Sequence, residues 1–146
     1  MSEHYERFIE TIKDYLTDNC LSLSAFAQFL GIRESCLSQW LAGNNKPSLE
    51  YVILVADKLN CSIDYLFWLT TEPQFTPTEN RRTFAERLQT LLNENDISKN
   101  KLAGICGVTS STVSKWLLRG QLPKPQVAIS LAKYFNCSLD YLLGRE

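Results

Sequence analysis

Apolar residues recur three and four positions apart through most of the chain. In its second half Phe84, Leu88, Leu91 and Leu92 share one helical face. Leu102, Ala103 and Cys106, then Val113, Trp116 and Leu117, then Ile129, Ala132 and Phe135 continue the pattern. These positions predict four amphipathic helices, and no alternating strand pattern competes with them. Ser138 precedes Leu139-Asp140-Tyr141-Leu142 and predicts the N-cap of a short fifth helix, because a hydroxyl there accepts an otherwise orphaned backbone N–H. Ser98 and Thr109 are expected to cap the second and third helices in the same way, and Pro125 suits the first turn of the fourth.

The first half repeats this pattern. A shift of 76 residues aligns Phe8 with Phe84, Leu16 with Leu92, Ala27 with Ala103 and Gly31 with Gly107 without a gap, and the register continues through Trp40/Trp116, Pro47/Pro123 and Ala56/Ala132. The closing segments, residues 60–66 and 136–142, differ at one position of seven, and Ser62 takes the capping place of Ser138. A period this long exceeds the usual solenoid units and matches a duplicated small domain. Residues 70–79 hold Pro73 and Pro77 and lack apolar periodicity, so they read as the connection. The expected organisation is a first domain over residues 1–72, a linker over 73–80 and a second domain over 81–146. Each domain is expected to be all-α, with five short helices around one small core.

Composition narrows the class. With 45% hydrophobic and 21% charged residues the chain has the makeup of an ordinary soluble protein, and its longest apolar run falls well short of the roughly 20 residues that cross a bilayer. Residues 1–14 are charged and do not read as a secretory signal, so a cytoplasmic protein with no membrane partner is expected. The five cysteines form no C-x-x-C pair, and the one histidine, His4, lies at a start expected to be unstructured. No metal and no cofactor are expected, and the thiols read as small, reduced, core-forming side chains. An enzyme is disfavoured for the same reason, since no cysteine has a candidate base beside it and no glycine-rich phosphate loop is present.

The net charge of −1 hides an asymmetry. Residues 1–75 carry 5 Lys/Arg against 10 Asp/Glu, a net of −5, whereas residues 76–146 carry 10 against 6, a net of +4. Cations that neutralise phosphates supply most non-specific affinity for nucleic acid, so the second half has the better electrostatics for it.

A tight turn between the second and third helices carries the functional signal. In Leu102-Ala103-x-x-Cys106-Gly107-Val108 an alanine permits close helix approach, a glycine can take positive φ, and an apolar residue plugs the core. Ala27, Gly31 and Ile32 repeat the device. Together with [LV]-S-x-W-L at residues 37–41 and 113–117 and the N-C-S-[IL]-D-Y-L ending, this ordered set resembles the Cro/C1-type (XRE-type) helix-turn-helix family across nearly all of each copy. The resemblance implies two tandem lambda-repressor-like helix-turn-helix domains and double-stranded DNA as the partner.

It further implies that the third helix of each copy, about residues 34–42 and 110–118, enters the major groove. In the second copy Thr109, Ser110, Ser111, Ser114 and Lys115 would face outward, with Lys115 donating to guanine or phosphate and the hydroxyls to several base edges. By family position Lys99 and Lys101 would contact phosphate, and Arg119 and Lys124 would clamp the backbone. Arg81 and Arg82 read either as a phosphate-contacting arm or as solubilising charge.

The first copy departs from this pattern. It presents Arg33, Glu34, Ser35, Ser38 and Gln39, lacks a cation at Leu23-Ser24-Ala25, and has Arg33 where the second copy has the capping Thr109. Arg33, Ser35 and Gln39 remain candidate base readers. The alternative is that this acidic copy binds protein, as a homodimer interface or as an antitoxin-like or anti-repressor-like module. Phe67, Trp68 and Leu69 add apolar surface that calls for a cover, either between domains or between chains. Trp40, Trp116, Phe8 and Phe84 read as core, and Tyr65 and Tyr141 as half-buried rings with their hydroxyls at the surface.

Overall fold

A computed structural model describes residues 3–146. Among the described residues there are ten helices and no strand: α1 (Glu3–Asp18), α2 (Leu23–Leu30), α3 (Glu34–Leu41), α4 (Leu49–Leu59), α5 (Ile63–Leu66), α6 (Phe84–Glu94), α7 (Lys99–Cys106), α8 (Ser110–Arg119), α9 (Pro125–Tyr134) and α10 (Leu139–Leu142). Two compact units divide after Gln74, each built from five of these helices, so the all-α tandem architecture is as the pattern predicts.

Local chemistry sets the helix boundaries. The side chains of Ser22, Ser62, Ser98, Thr109 and Ser138 each accept the backbone N–H three residues on, and Thr83 does the same for Glu86 within a full capping box. Pro125 opens α9. Gly31 and Gly107 adopt φ of +77° and +70°, which lets the chain leave α2 and α7 in one residue. Ile32 and Val108 then donate at 3.0 Å to the carbonyls of Ala27 and Ala103.

Each unit has its own core. Phe8, Ile12, Phe26, Leu37, Trp40, Val55, Ile63 and Leu66 are buried in the first, and Leu88, Leu102, Val113, Trp116, Ile129, Leu139 and Leu142 in the second. The edge-on pair Phe8–Trp40, with centroids 6.5 Å apart, has its counterpart in Phe84–Trp116 at 6.0 Å. Such aromatic pairs add about 0.5–1.5 kcal/mol beyond the area they bury.

Four expectations need correction. His4 lies within α1, edge-on to the Phe67 ring at 6.5 Å, because Tyr5, Phe8, Ile9 and Ile12 bury one face and carry the helix back to Glu3. Phe67 needs no outside cover. It is fully buried in its own unit, 5.6 Å from the Phe8 ring, while Trp68 turns outward and its indole N–H donates to Thr11 Oγ1 at 2.8 Å. Of the cysteines only Cys61 is buried; Cys36, Cys106 and Cys137 are half-buried, and Cys20 is exposed in a left-handed turn after α1. Leu117 and Phe135 are half-buried rather than core.

The second unit ends on buried charge. Arg145 pairs with Asp140, both almost inaccessible, and its guanidinium lies 4.1 Å from the centroid of the Phe75 ring. Thr78 donates to the Arg145 carbonyl at 3.1 Å. The stretch between the helical bundles is thus shared: Pro73 accepts from Ser62 in the first unit, and residues from Phe75 onward pack on the second. Gly144, at φ +82°, is irreplaceable in this packing, since a Cβ there would lie 1.7 Å from the Arg82 carbonyl oxygen.

Candidate nucleic-acid interface

The second unit sets α7 and α8 against each other through the Gly107 turn. Leu102, Ala103, Val113 and Trp116 are buried between them and the rest of the core, which leaves the opposite face of α8 to solvent. On that face Thr109, Ser110, Ser111 and Lys115 are exposed. Ser114 is half-buried and turns toward α7, where the ammonium of Lys99 lies 3.4 Å from its hydroxyl. These two candidates are brought together directly.

Lys101 is exposed on α7, Arg119 in the last turn of α8 and Lys124 at the N-cap of α9. Among the described residues none of Lys99, Lys101, Lys115, Arg119 and Lys124 forms an ion pair, so these charges are not offset by a neighbouring carboxylate. Arg82, by contrast, is engaged by Glu86 at 3.6 Å.

Thr109 is committed to the cap as well as to the surface. It accepts the Thr112 amide at 3.2 Å, and the two hydroxyls are 3.0 Å apart. Thr112 was not among the sequence candidates, although its place three residues after a capping threonine is the signal for it. Asn100 and Gln121 are likewise exposed beside Lys99 and Gly120. Their amides are the side-chain type that pairs with adenine.

The first unit builds the same frame with different surface chemistry. Arg33 stands at the N-cap of α3 but makes no side-chain capping bond, and α3 has 8 residues where α8 has 10. Arg33, Ser35 and Gln39 are brought together along a surface groove of about 880 Å³ that Tyr51 also lines. Glu34 is exposed in the first turn, where its negative charge would oppose phosphate.

Glu86 and Cys106 of the second unit are shifted in their titration. The amide and hydroxyl of Thr83 hydrogen-bond the Glu86 carboxylate and hold it below the usual carboxylate range, with Arg82 adding to the effect. Burial pushes the Cys106 thiol above its ordinary value, which keeps it protonated on the inner side of α7.

A helix-turn-helix family model matches residues 12–66 and again residues 88–142, the same 76-residue register as the internal repeat. The two matches span most of both units, and the chain belongs to the Cro/C1-type helix-turn-helix family, a family of DNA-binding proteins. Searches of curated proteins and of solved structures find no match. Among the described residues no helix is long and apolar enough to cross a membrane.

Proposed function

We propose that the protein is a sequence-specific transcription regulator of the cytoplasm that binds double-stranded DNA by inserting α8 into the major groove. The observation that carries this reading is the outer face of α7 and α8, where Thr109, Ser110, Ser111, Lys99, Lys101 and Lys115 stand exposed and without carboxylate partners. Lys115 reads guanine or its phosphate. Ser110, Ser111 and Ser114 add adaptable hydroxyl contacts, and Lys99, Lys101, Arg119 and Lys124 hold the backbone. Short side chains at the start of α8 allow close approach to the bases, and sequence-dependent DNA shape supplies part of the selectivity.

Within this reading the first unit adds a second, weaker contact through Arg33, Ser35 and Gln39, and tandem linkage raises the joint affinity by effective concentration. Selection from a random duplex library with the full chain tests the proposal. One enriched motif, lost in Lys115→Ala and weakened steeply by salt, supports it; no enrichment at low salt overturns it.

A second reading is favoured by the charge of −5 over residues 1–75 and by Glu34 at the exposed start of α3. In it the first unit binds a protein, either a second copy of the chain or another regulator. Replacing Arg33, Ser35 and Gln39 with alanine separates the two: DNA affinity falls if the first unit contacts DNA through them, and stays unchanged, with partner capture or self-association retained, if that unit binds protein.

A further inference from the structure

The second unit binds a guanidinium of its own. Arg87, 8% exposed, lays its guanidinium carbon 3.7 Å from the centroid of the Tyr141 ring and donates from Nη2 to the main-chain oxygen of Glu146 at 2.8 Å. In the 76-residue register Thr11 takes the position of Arg87, Tyr65 that of Tyr141 and Thr70 that of Glu146. All three of these first-unit residues line one cavity of about 540 Å³. The first unit therefore keeps the counterparts of the groups that receive the guanidinium, and replaces the long side chain that carries it with a short one.

The rest of the cavity suits a cation supplied from outside. Asp14 and Asp18, one turn apart on α1, line it. Their counterparts are Thr90 and Glu94, so the first unit has gained a carboxylate where it lost an arginine. Trp68 stands at the rim, 51% exposed, with its indole tethered to Thr11. A planar cation gains from an aromatic face and from the fork-like pairing of guanidinium with carboxylate. The volume lies within the roughly 300–1,000 Å³ of small-molecule sites.

We infer that this cavity is a binding site for a small organic guanidinium, stacked on Tyr65 and paired with Asp14 and Asp18, at the place the second unit fills with Arg87. The inference concerns the first unit alone and stands whether or not the chain binds DNA as proposed.

The test is a titration of the isotope-labelled full chain with benzylguanidine, followed by amide and indole NMR, with benzylurea as the neutral isostere. Saturable shifts at the Trp68 indole N–H and at Thr70 and Thr71 are expected, with affinity at least about ten-fold lower for benzylurea. A comparable loss is expected in the double variant Asp14→Asn, Asp18→Asn. Thr11→Arg supplies the guanidinium from within and should abolish binding while the spectrum stays dispersed; if that variant unfolds the first unit, the Asp14, Asp18 pair decides. Equal binding of benzylurea, undiminished binding by the double variant, shifts confined to residues 75–146, or no binding at millimolar benzylguanidine each overturns the inference. So does capture of an arginine-containing peptide here when benzylguanidine fails to bind.

Discussion

The ammonium of Lys99 stands 3.4 Å from the hydroxyl of Ser114, joining the first residue of α7 to the middle of α8. An ammonium has three donors, so Lys99 can hold this contact and still face a phosphate. Lys99→Ala should therefore weaken binding to all duplexes alike and lower the slope of affinity against salt by about one. Ser114→Ala should leave that slope unchanged. Fluorescence anisotropy on one specific and one random duplex, over a range of salt, distinguishes the two.

Lys115 should behave differently from Lys99. In the proposed reading Lys115 contacts a base edge from the exposed face of α8, so Lys115→Ala should cost about 1–3 kcal/mol on the selected duplex and relax preference at one base position. An equal loss on random DNA would reassign Lys115 to the phosphates. Competition binding with single-base variants of the selected site makes the comparison.

The buried pair of Asp140 and Arg145 should be costly to break from one side. Arg145→Met removes a buried guanidinium from beside the buried Asp140 carboxylate and should destabilise the second unit, by up to about 3–5 kcal/mol. Replacing both, as Asp140→Leu with Arg145→Met, should recover much of that loss. Urea unfolding of the three variants beside the parent tests this.

Glu86 should contribute to acid sensitivity. Its folded pKa is lowered by the Thr83 hydrogen bonds, so its stabilising effect is present above the ordinary carboxylate value and is lost as pH falls through the lowered one. Glu86→Gln should flatten this part of the acid limb when unfolding is followed against pH. Thr83→Ala should remove the same pH dependence and weaken the start of α6.

Thiol reactivity should rank by burial. Cys20 is exposed, Cys106 is half-buried with its pKa raised by desolvation, and Cys61 is buried. Maleimide labelling at neutral pH, read by mass spectrometry, should modify Cys20 first, Cys106 more slowly and Cys61 last, with the differences erased in denaturant. The raised pKa of Cys106 also means that its contribution to stability is intact at lower pH and is lost as pH rises through the folded value.

Local rules determined much of this molecule from its sequence alone. Capping hydroxyls at Ser62, Ser98, Thr109 and Ser138, the positive φ at Gly31 and Gly107 and the burial of Trp40 and Trp116 all follow from spacing within a few residues, where backbone hydrogen bonding and helical period decide. The duplication made each such reading available twice. The outward candidates on α8 were legible as the complement of its apolar stripe, whereas the hydroxyl contact of Thr112 with the capping Thr109 depends on a side-chain rotamer that spacing does not fix.

Only the tertiary structure decided where the arginines go. Arg87 and Arg145 look like surface charge in the sequence, yet Tyr141, Phe75 and Asp140 enclose them through contacts no local pattern encodes. The same distant contacts expose the difference at Thr11, where a shorter side chain leaves a cavity in place of a guanidinium. Helix period is a property of neighbours along the chain; the desolvation and pairing of a charge depend on groups that folding alone brings together.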